Sequence, residues 1–419
     1  MARSLEIIQA AFVSFDPDVA TQAYLATLST AASARSDAYF EGGYWLILWD
    51  LLVAIGLAAV LLGTGLSQRM RSWGEGVTQR KWLQTTLYGL QYVVVSTLLL
   101  LPWAAYEDYF REHRYGLSNQ TPITWLLDQG KGLLLDLVFV TLAISLIYAV
   151  IRKARKTYWL WGTLVAVSLL TFQIVLSPIY LEPIFNKFYP LAEGPIKQSI
   201  LALARANAIP VHQVYEFDAS KQTTKMSAHV SGLMGTAQIS LNDNLMQRGS
   251  PEEIRAVLGH EMGHYVLNHS YLLLLLIGII TLVGFALLPW AFDRTVRYFG
   301  QRWGLRGVDD VAGVPLLILL CSCYLFLLTP IKNTLIRTTE AEADAYGMNA
   351  AREPDGFAQA ALHLAEYRKM RPSPLEEIVF FDHPSGWHRI HRAMVWKAEN
   401  IEAADIAGYD ARHHPPGTH

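Results

Sequence analysis

The sequence has 419 residues, of which 52% are hydrophobic and 17% are charged, and its formal net charge is −2. Soluble domains carry about 25% charged residues, so this composition excludes a disordered chain and argues against one large soluble enzyme. Two cysteines are too few for a disulfide-rich secreted module. The near-neutral charge leaves no basic footprint for nucleic acid, so no nucleic-acid partner is expected.

Six apolar blocks are long enough to cross a bilayer, which takes about 20 apolar residues in a helix. In chain order they cover residues 44–66, 85–106, 133–151, 159–180, 270–292 and 311–331. Tryptophans at block ends and clusters of arginine or lysine beyond them are typical of membrane spans. Buried helices of a large soluble protein are the alternative, which six such blocks disfavour. We therefore expect an integral, multi-pass membrane protein embedded in the lipid bilayer.

Two polar segments carry patterns of short helices and strands instead of spans. The expected divisions are an N-terminal segment that is a remnant helix or a signal (1–43), four spans (44–181), a first polar segment (182–269), two spans (270–331) and a second polar segment (332–419). The fold class that follows is predominantly α, with a polytopic membrane helix bundle and a small α/β domain built from two separate segments.

The motif His260-Glu261-Met262-Gly263-His264 is the strongest functional pattern. Pro251 followed by two acids predicts the start of a helix that includes the motif. Residues four apart share a helix face, so both imidazoles can reach one metal ion. The glutamate between them can take a proton from metal-bound water. A chance occurrence on an ordinary helix is the alternative.

A catalytic zinc site needs a third protein ligand and one open position. Glu340 and Asp344 follow the sixth block and lie four residues apart in a helical run, so they share a face. One acid could bind the metal while the other holds a ligand imidazole. Glu342 is expected to point elsewhere and to be solvated. Standing alone, these acids would be interpreted as a charged helix face near a membrane surface.

The motif HEMGH, followed after membrane-spanning sequence by Glu-x-x-Ala-Asp, resembles the integral-membrane CAAX prenyl endopeptidases, which are gluzincin zinc metalloproteases. Further segments carry the likeness in the same order over most of the chain: RYGLSNQT at 114–121, PIFNKF at 183–188, and His383-Pro384 with Arg389. The resemblance implies spans that enclose a chamber and a zincin-like protease domain. It also implies removal of the last three residues from prenylated proteins. A bacterial member of the family is expected.

The resemblance implies roles for the residues of the two motifs. His260, His264 and Glu340 would bind one zinc ion per chain. Glu261 would be the general base, and Asp344 would orient a ligand histidine.

It also implies residues that contact the substrate. His383 and Arg389 would steady the oxyanion and the peptide backbone, where donors are needed because charge develops on the carbonyl oxygen. In the alternative, His383 caps a turn and Arg389 pairs with a surface acid. An edge strand would bind the peptide by strand addition. Its residues would be Ser227, Ala228, His229, Val230 and Gly232.

The sequence departs from the family pattern in two places. The family commonly has Asn-Ala-Tyr ahead of the strand, where this chain has Ser227, Ala228 and His229. The shorter serine would lose a substrate contact, and His229 could replace the tyrosine hydroxyl as a donor. Eukaryotic members have five spans before the first protease segment, whereas four are predicted here. The missing span would be the N-terminal helix.

Charge counting and the resemblance disagree about the side of the membrane. Loops 67–84, 152–157 and 293–312 each carry four lysines or arginines. The positive-inside rule places these loops in the cytoplasm and both polar segments on the other side, which is the periplasm if the membrane is a bacterial inner membrane. The eukaryotic relatives work on the cytosolic side. Charge counting is internally consistent, so we take it as the expectation.

The leading hypothesis is a membrane-embedded zinc endopeptidase whose peptide or protein substrates are prenylated CAAX-type or other membrane-associated proteins, cut near the C-terminus. A quality-control protease with non-prenylated substrates is an alternative with the same chemistry. A transporter or channel with an incidental metal site, or a pseudoenzyme that acts as a chaperone, belongs to another class. The polar segments disfavour the transporter, and the complete ligand set disfavours the pseudoenzyme.

Overall fold

The computed structural model describes residues 15–231 and 237–401. In chain order its main helices are α1 (Pro17–Ala26), α2 (Thr30–Gly63), α3 (Leu66–Val77), α4 (Lys81–Ala104), α5 (Pro122–Lys153), α6 (Tyr158–Leu176), α7 (Pro195–Ala206), α8 (Asp243–Arg248), α9 (Pro251–Val266), α10 (His269–Trp303), α11 (Val314–Leu327), α12 (Thr329–Ala351), α13 (Pro354–His363), α14 (Pro374–Phe380) and α15 (Gly386–Asn400). The strands are β1 (Phe188–Pro190), β2 (Val214–Phe217), β3 (Ala228–Ser231) and β4 (Gln238–Asn242).

Five of the described helices are long and apolar enough to span a membrane, namely α2, α4 with its continuation to Arg114, α5, α6 and α10. The pair α11 and α12, bent by 59° at its junction, makes a sixth span if it is counted as one. Each predicted apolar block coincides with one of these elements. The expectation of a predominantly helical membrane bundle with a small α/β domain is therefore confirmed.

The first span begins earlier than its apolar block. The Ser29 hydroxyl accepts a hydrogen bond from the Ala32 amide and so caps α2, which runs through residue 43 without a break. Its first turns support the second polar segment. The Phe40 and Phe381 rings lie 4.5 Å apart, and the Ser36 hydroxyl donates to the Arg368 carbonyl at 3.0 Å. The first span therefore extends towards the polar segments.

Helix α1 packs against the second polar segment. The Tyr24 hydroxyl donates to Asp355 at 2.6 Å, and the Lys397 ammonium contacts the same buried carboxylate at 2.8 Å. The part of residues 1–31 that the structure describes thus contacts α13 and α15.

Polar contacts join the loops at the opposite end of the bundle. Arg71 and Asp310 form a buried ion pair between α3 and the loop before α11. The Ser67 hydroxyl donates to the Ala312 carbonyl at 2.7 Å, and the Arg152 guanidinium donates to the Thr85 hydroxyl at 2.7 Å. Three loops that are rich in arginine and lysine therefore meet at one end of the bundle.

The sheet of the first polar segment has the order β1-β2-β4-β3. Strand β2 pairs with β4 in parallel, while β1 and β3 pair antiparallel with their neighbours. Buried Ile239 and Leu241 of β4 pack with Ile254, Leu258 and Met262 of α9. Strand β3 lies at one edge, and among the described residues its only strand partner is β4.

Helices α9 and α12 cross at very short range because glycines line the crossing. A Cβ atom at Gly347 would lie 2.6 Å from the His260 amide nitrogen, and one at Gly259 would lie 2.9 Å from the Gly347 carbonyl oxygen. On the next turn, a Cβ at Gly263 would lie 3.1 Å from Ala343. No rotamer relieves such a clash, since the neighbouring atoms belong to the backbone. This approach joins the two polar segments into one domain.

We predict that Gly347→Ala destabilises the protein, although alanine is the better helix former. Forcing a methyl group into a packed contact costs about 1–3 kcal/mol, whereas the gain in helix propensity is about 0.5–1 kcal/mol. The thermal midpoint of the purified protein in detergent should fall. The matched control is Gly56→Ala in α2, where a Cβ meets nothing within 4 Å. Equal midpoints for the two variants would show that the crossing tolerates a side chain.

Candidate metal centre

A strong N-terminal cap positions the helix that carries the HEMGH motif. The Ser250 hydroxyl accepts from the Glu253 amide, the Glu253 carboxylate accepts from the Ser250 amide, and Pro251 occupies the first helical position. This capping box sets where α9 begins. The register of the helix then places His260 and His264 on the face towards α12.

Three side chains from the two segments converge on one point. The Nε2 atoms of His260 and His264 lie 3.2 Å apart. The Glu340 carboxylate lies 3.3 Å from the first of these nitrogens and 3.4 Å from the second. Glu340 Oε2 is buried and makes no hydrogen bond among the described residues. Two imidazole nitrogens and one carboxylate fit a catalytic zinc site, which takes three protein ligands and keeps a position open.

Asp344 and Arg389 support His260 on the side of the imidazole that faces away from the other candidate ligands. The Asp344 carboxylate lies 2.8 Å from His260 Nδ1 and is fully buried. The Arg389 guanidinium donates to both of its oxygens, at 3.0 and 2.5 Å. Burial disfavours the charged imidazole, but Asp344 and Glu340 raise the pKa of His260 to about 9. The surroundings of His260 therefore favour a cation at this point.

Glu261 lies beside these groups and lines the adjoining cleft. Burial raises the pKa of its carboxyl above the ordinary value, and the neighbouring His260 and His264 oppose the rise. A carboxylate whose pKa is raised towards neutrality is a better proton acceptor from water than an exposed one.

His383 approaches the same point from the loop between α14 and α15. Its Nε2 lies 3.2 Å from Glu340 Oε2, and its Nδ1 lies 2.8 Å from Asp382. Burial lowers the pKa of His383 below the ordinary value, and Asp382 acts in the opposite direction. The Asp382 contact orients the imidazole so that its second nitrogen faces the site.

A cleft of about 210 Å³ runs past these residues and brings together half of the predicted site. Phe357, Leu364 and Tyr367 form its apolar wall. The predicted site residues that line it are Ser227, Ala228, His260, Glu261, His383 and Arg389. The cleft therefore joins the candidate metal centre to the start of the edge strand.

The edge strand presents its predicted residues on different faces. Ala228 and Val230 pack in the core shared with α9. His229 lies on the other face, where its ring contacts Phe217 and its Nε2 lies 3.5 Å from the Glu182 carboxylate. Gly232 lies outside the described residues.

Sequence reasoning missed Asp382, His269 and the contact made by Glu342. His269 Nδ1 lies 2.9 Å from His264 Nδ1, and its Nε2 lies 3.1 Å from Glu342 Oε2. The Glu342 side chain is 55% exposed, so it is solvated as expected, but its carboxylate also reaches His269. The signals that could have found these residues were a histidine five positions after the motif and an acid next to His383.

Comparisons with known proteins agree with this geometry. Residues 190–397 match peptidase family M48, and residues 19–187 match the family described as "CAAX prenyl protease N-terminal, five membrane helices". The "Uncharacterized metalloprotease YhfN" of Bacillus subtilis is 32% identical over 81% of this chain and 80% of its own length. The chain belongs to the M48 metallopeptidases of the CAAX prenyl protease family. It is therefore a multi-pass membrane metalloprotease.

Other relatives of this M48 peptidase carry more specific names. The "CAAX prenyl protease 1 homolog" of Dictyostelium discoideum is 29% identical over 74% of this chain and 71% of its own length. The crystal structure of S. mikatae Ste24p superimposes with a TM-score of 0.75 at 21% identity, over 93% of this chain and 97% of that one. The likeness to Ste24p confirms the fold of a membrane helix bundle with a protease domain.

We predict that Asp344 and Arg389 are coupled in stability. Asp344→Leu leaves a buried guanidinium without its partner, which costs about 3–5 kcal/mol. The double variant Asp344→Leu/Arg389→Met removes both charges and should unfold at a higher temperature than Asp344→Leu alone. Thermal unfolding followed by tryptophan fluorescence measures this order. Additive losses in the double variant would contradict the coupling.

Proposed function

We propose that this M48 peptidase is a zinc endopeptidase that cuts membrane-associated proteins near their C-terminus. The observation that carries the proposal is the convergence of His260, His264 and Glu340 beside a cleft that reaches the start of the edge strand β3. One zinc ion held by these three residues would polarise a peptide carbonyl and acidify a water molecule.

The protein's own residues would handle the proton and the charge. Glu261 takes the proton of the attacking water and passes it to the leaving amine. In its doubly protonated form, His383 donates from Nδ1 to Asp382 and from Nε2 to the developing oxyanion. Arg389 donates from Nε and Nη2 to Asp344, so it acts mainly by holding the carboxylate that faces His260. Nη1 would donate to a substrate carbonyl.

The peptide would bind as an additional strand on β3. Ladder hydrogen bonds from an edge strand fix the peptide backbone, and the alternating faces of the strand separate its side chains. Ser227 and Ala228 lie at the cleft, and Val230 continues the same strand. His229 faces Glu182, so we assign it to the face of the sheet away from the metal ligands.

The substrate class is argued from the site and from the relatives together. A site whose helices continue directly from membrane spans suits substrates that are held in the bilayer. Several relatives are named CAAX prenyl proteases. We therefore infer prenylated C-terminal tails as the first substrate class. Non-prenylated membrane proteins are the second, as in a quality-control protease.

Glu261→Gln should retain zinc and lose cleavage, because glutamine cannot accept the proton. His260→Ala should lose zinc as well as cleavage. The measurement compares both variants with the wild type on a farnesylated peptide and on the same peptide without lipid, with zinc measured in each. Glu399→Gln, an exposed acid on α15, is the control and should behave like the wild type.

Two outcomes would overturn parts of this proposal. Full cleavage by Glu261→Gln would refute the assigned base. Equal cleavage of the two peptides would refute recognition of the lipid and favour the quality-control alternative.

The orientation in the membrane is a separate proposal. The three basic loops meet at the end opposite to the metal centre, so the positive-inside rule places them in the cytoplasm and the centre in the periplasm of a bacterial inner membrane. At that end Arg71 pairs with Asp310 and Arg306 pairs with Glu75. These two acids partly offset the positive charge of the basic loops.

A reporter fused after His419 tests this orientation. A periplasm-active phosphatase should be active and a fluorescent protein that matures only in the cytoplasm should be dark. A fluorescent fusion with an inactive phosphatase would place the centre in the cytoplasm, as in the eukaryotic relatives.

A further inference from the structure

The two histidines of the motif are supported in different ways. The Nδ1 atom of His260 faces a carboxylate, Asp344, at 2.8 Å. The Nδ1 atom of His264 faces a third imidazole, His269 Nδ1, at 2.9 Å, and the far nitrogen of that ring faces Glu342 at 3.1 Å. His264, His269 and Glu342 thus form a chain of contacts, called here the imidazole relay.

Local backbone geometry places His269 under His264. Only Leu267 and Asn268 separate α9 from α10, and Asn268 adopts a left-handed conformation with φ of 57° that turns the chain into the new helix. His269 is the first residue of α10, and only 2% of its surface is exposed. Glu342 comes from α12, so the relay joins all three helices next to the metal centre.

The protons of the relay follow from its geometry. His264 Nε2 faces Glu340 and His260, so it must keep its lone pair if it is to bind a metal, and Nδ1 must then carry the proton. Because two Nδ1 atoms at 2.9 Å need one donor and one acceptor, His269 Nδ1 accepts. Its own proton therefore lies on Nε2 and is donated to Glu342.

We propose that His269, oriented by Glu342, is a positioning residue that holds His264 in the tautomer and ring orientation required for zinc binding. This inference rests on the zinc site proposed above. The relay supports His264 with a neutral imidazole, whereas His260 is supported by a buried carboxylate. Glu342 is the last group of the relay, at the surface, where its carboxylate accepts a hydrogen bond from His269 Nε2 and remains solvated.

The alternative is a purely structural role for His269, because a buried histidine at the start of a helix can simply fill space in the core. The two roles make different predictions. A space-filling residue can be replaced by leucine without effect on the metal. A positioning residue needs an acceptor at the place of Nδ1, which asparagine provides through its side-chain oxygen and leucine does not.

The test measures how fast zinc leaves the purified full-length protein when a chelator is added. His269→Leu should lose zinc about 10- to 100-fold faster than the wild type, since outer ligand partners contribute this much to metal affinity. His269→Asn should recover most of the retention. Glu342→Ala should fall between the wild type and His269→Leu, and Glu399→Ala should match the wild type. The absorption spectrum of the cobalt-substituted protein should change in His269→Leu and return towards wild type in His269→Asn.

The outcomes separate this inference from the proposed function. If the wild type binds zinc and His269→Leu loses it at the wild-type rate, the relay is refuted and the proposed function stands. Equal zinc loss by the leucine and asparagine variants, together with equally lowered melting temperatures, would show a structural role and also refute the relay. A wild type that binds no zinc would overturn both. Should His269→Leu not fold, Glu342→Ala and His269→Asn still decide the question.

Discussion

The close crossing of α9 and α12 is the constraint on which the rest of the site depends. Gly259 and Gly263 on one helix and Gly347 on the other leave no room for a side chain, so the two backbones touch. At this separation a carboxylate on α12 reaches imidazoles on α9 directly, with contacts of 3.3 and 3.4 Å between Glu340 and the two histidines. A wider crossing would separate the candidate ligands, because glutamate and histidine side chains have fixed lengths. Packing of three small residues therefore sets the geometry of the metal centre.

The membrane bundle brings the two helices to the same place. After α9 the chain continues into α10, which is long enough to cross the bilayer, and the bent pair of α11 and α12, if counted as one span, brings the chain back. Two crossings return the chain to the side from which it started, so both polar segments lie at one end. The bend of 59° then turns α12 out of the direction of α11 and towards α9. The third ligand is thus carried by the continuation of a membrane span.

Each of the two candidate ligand histidines contacts a partner that has a further polar contact of its own. Arg389 fixes Asp344, which faces His260, and Glu342 fixes His269, which faces His264. Asp382 orients His383 in the same manner. Buried polar groups are costly when left unpaired, so such complete chains of partners favour one arrangement of the ligands over alternatives. The site is therefore organised by contacts that radiate outwards from the metal ligands to the surface.

The sequence by itself determined the apolar blocks that become the membrane-capable helices, the HEMGH helix and the shared helix face of Glu340 and Asp344, because apolar length and four-residue spacing are properties of one local segment. The tertiary structure alone decided which distant groups meet. It paired Arg389 with Asp344, turned His229 towards Glu182, and brought His269 to the imidazole of His264. These contacts join residues from separate elements, or depend on a single left-handed residue such as Asn268. The periodicity of the sequence does not predict these contacts, since the distance between two helices is set by packing and by the bilayer.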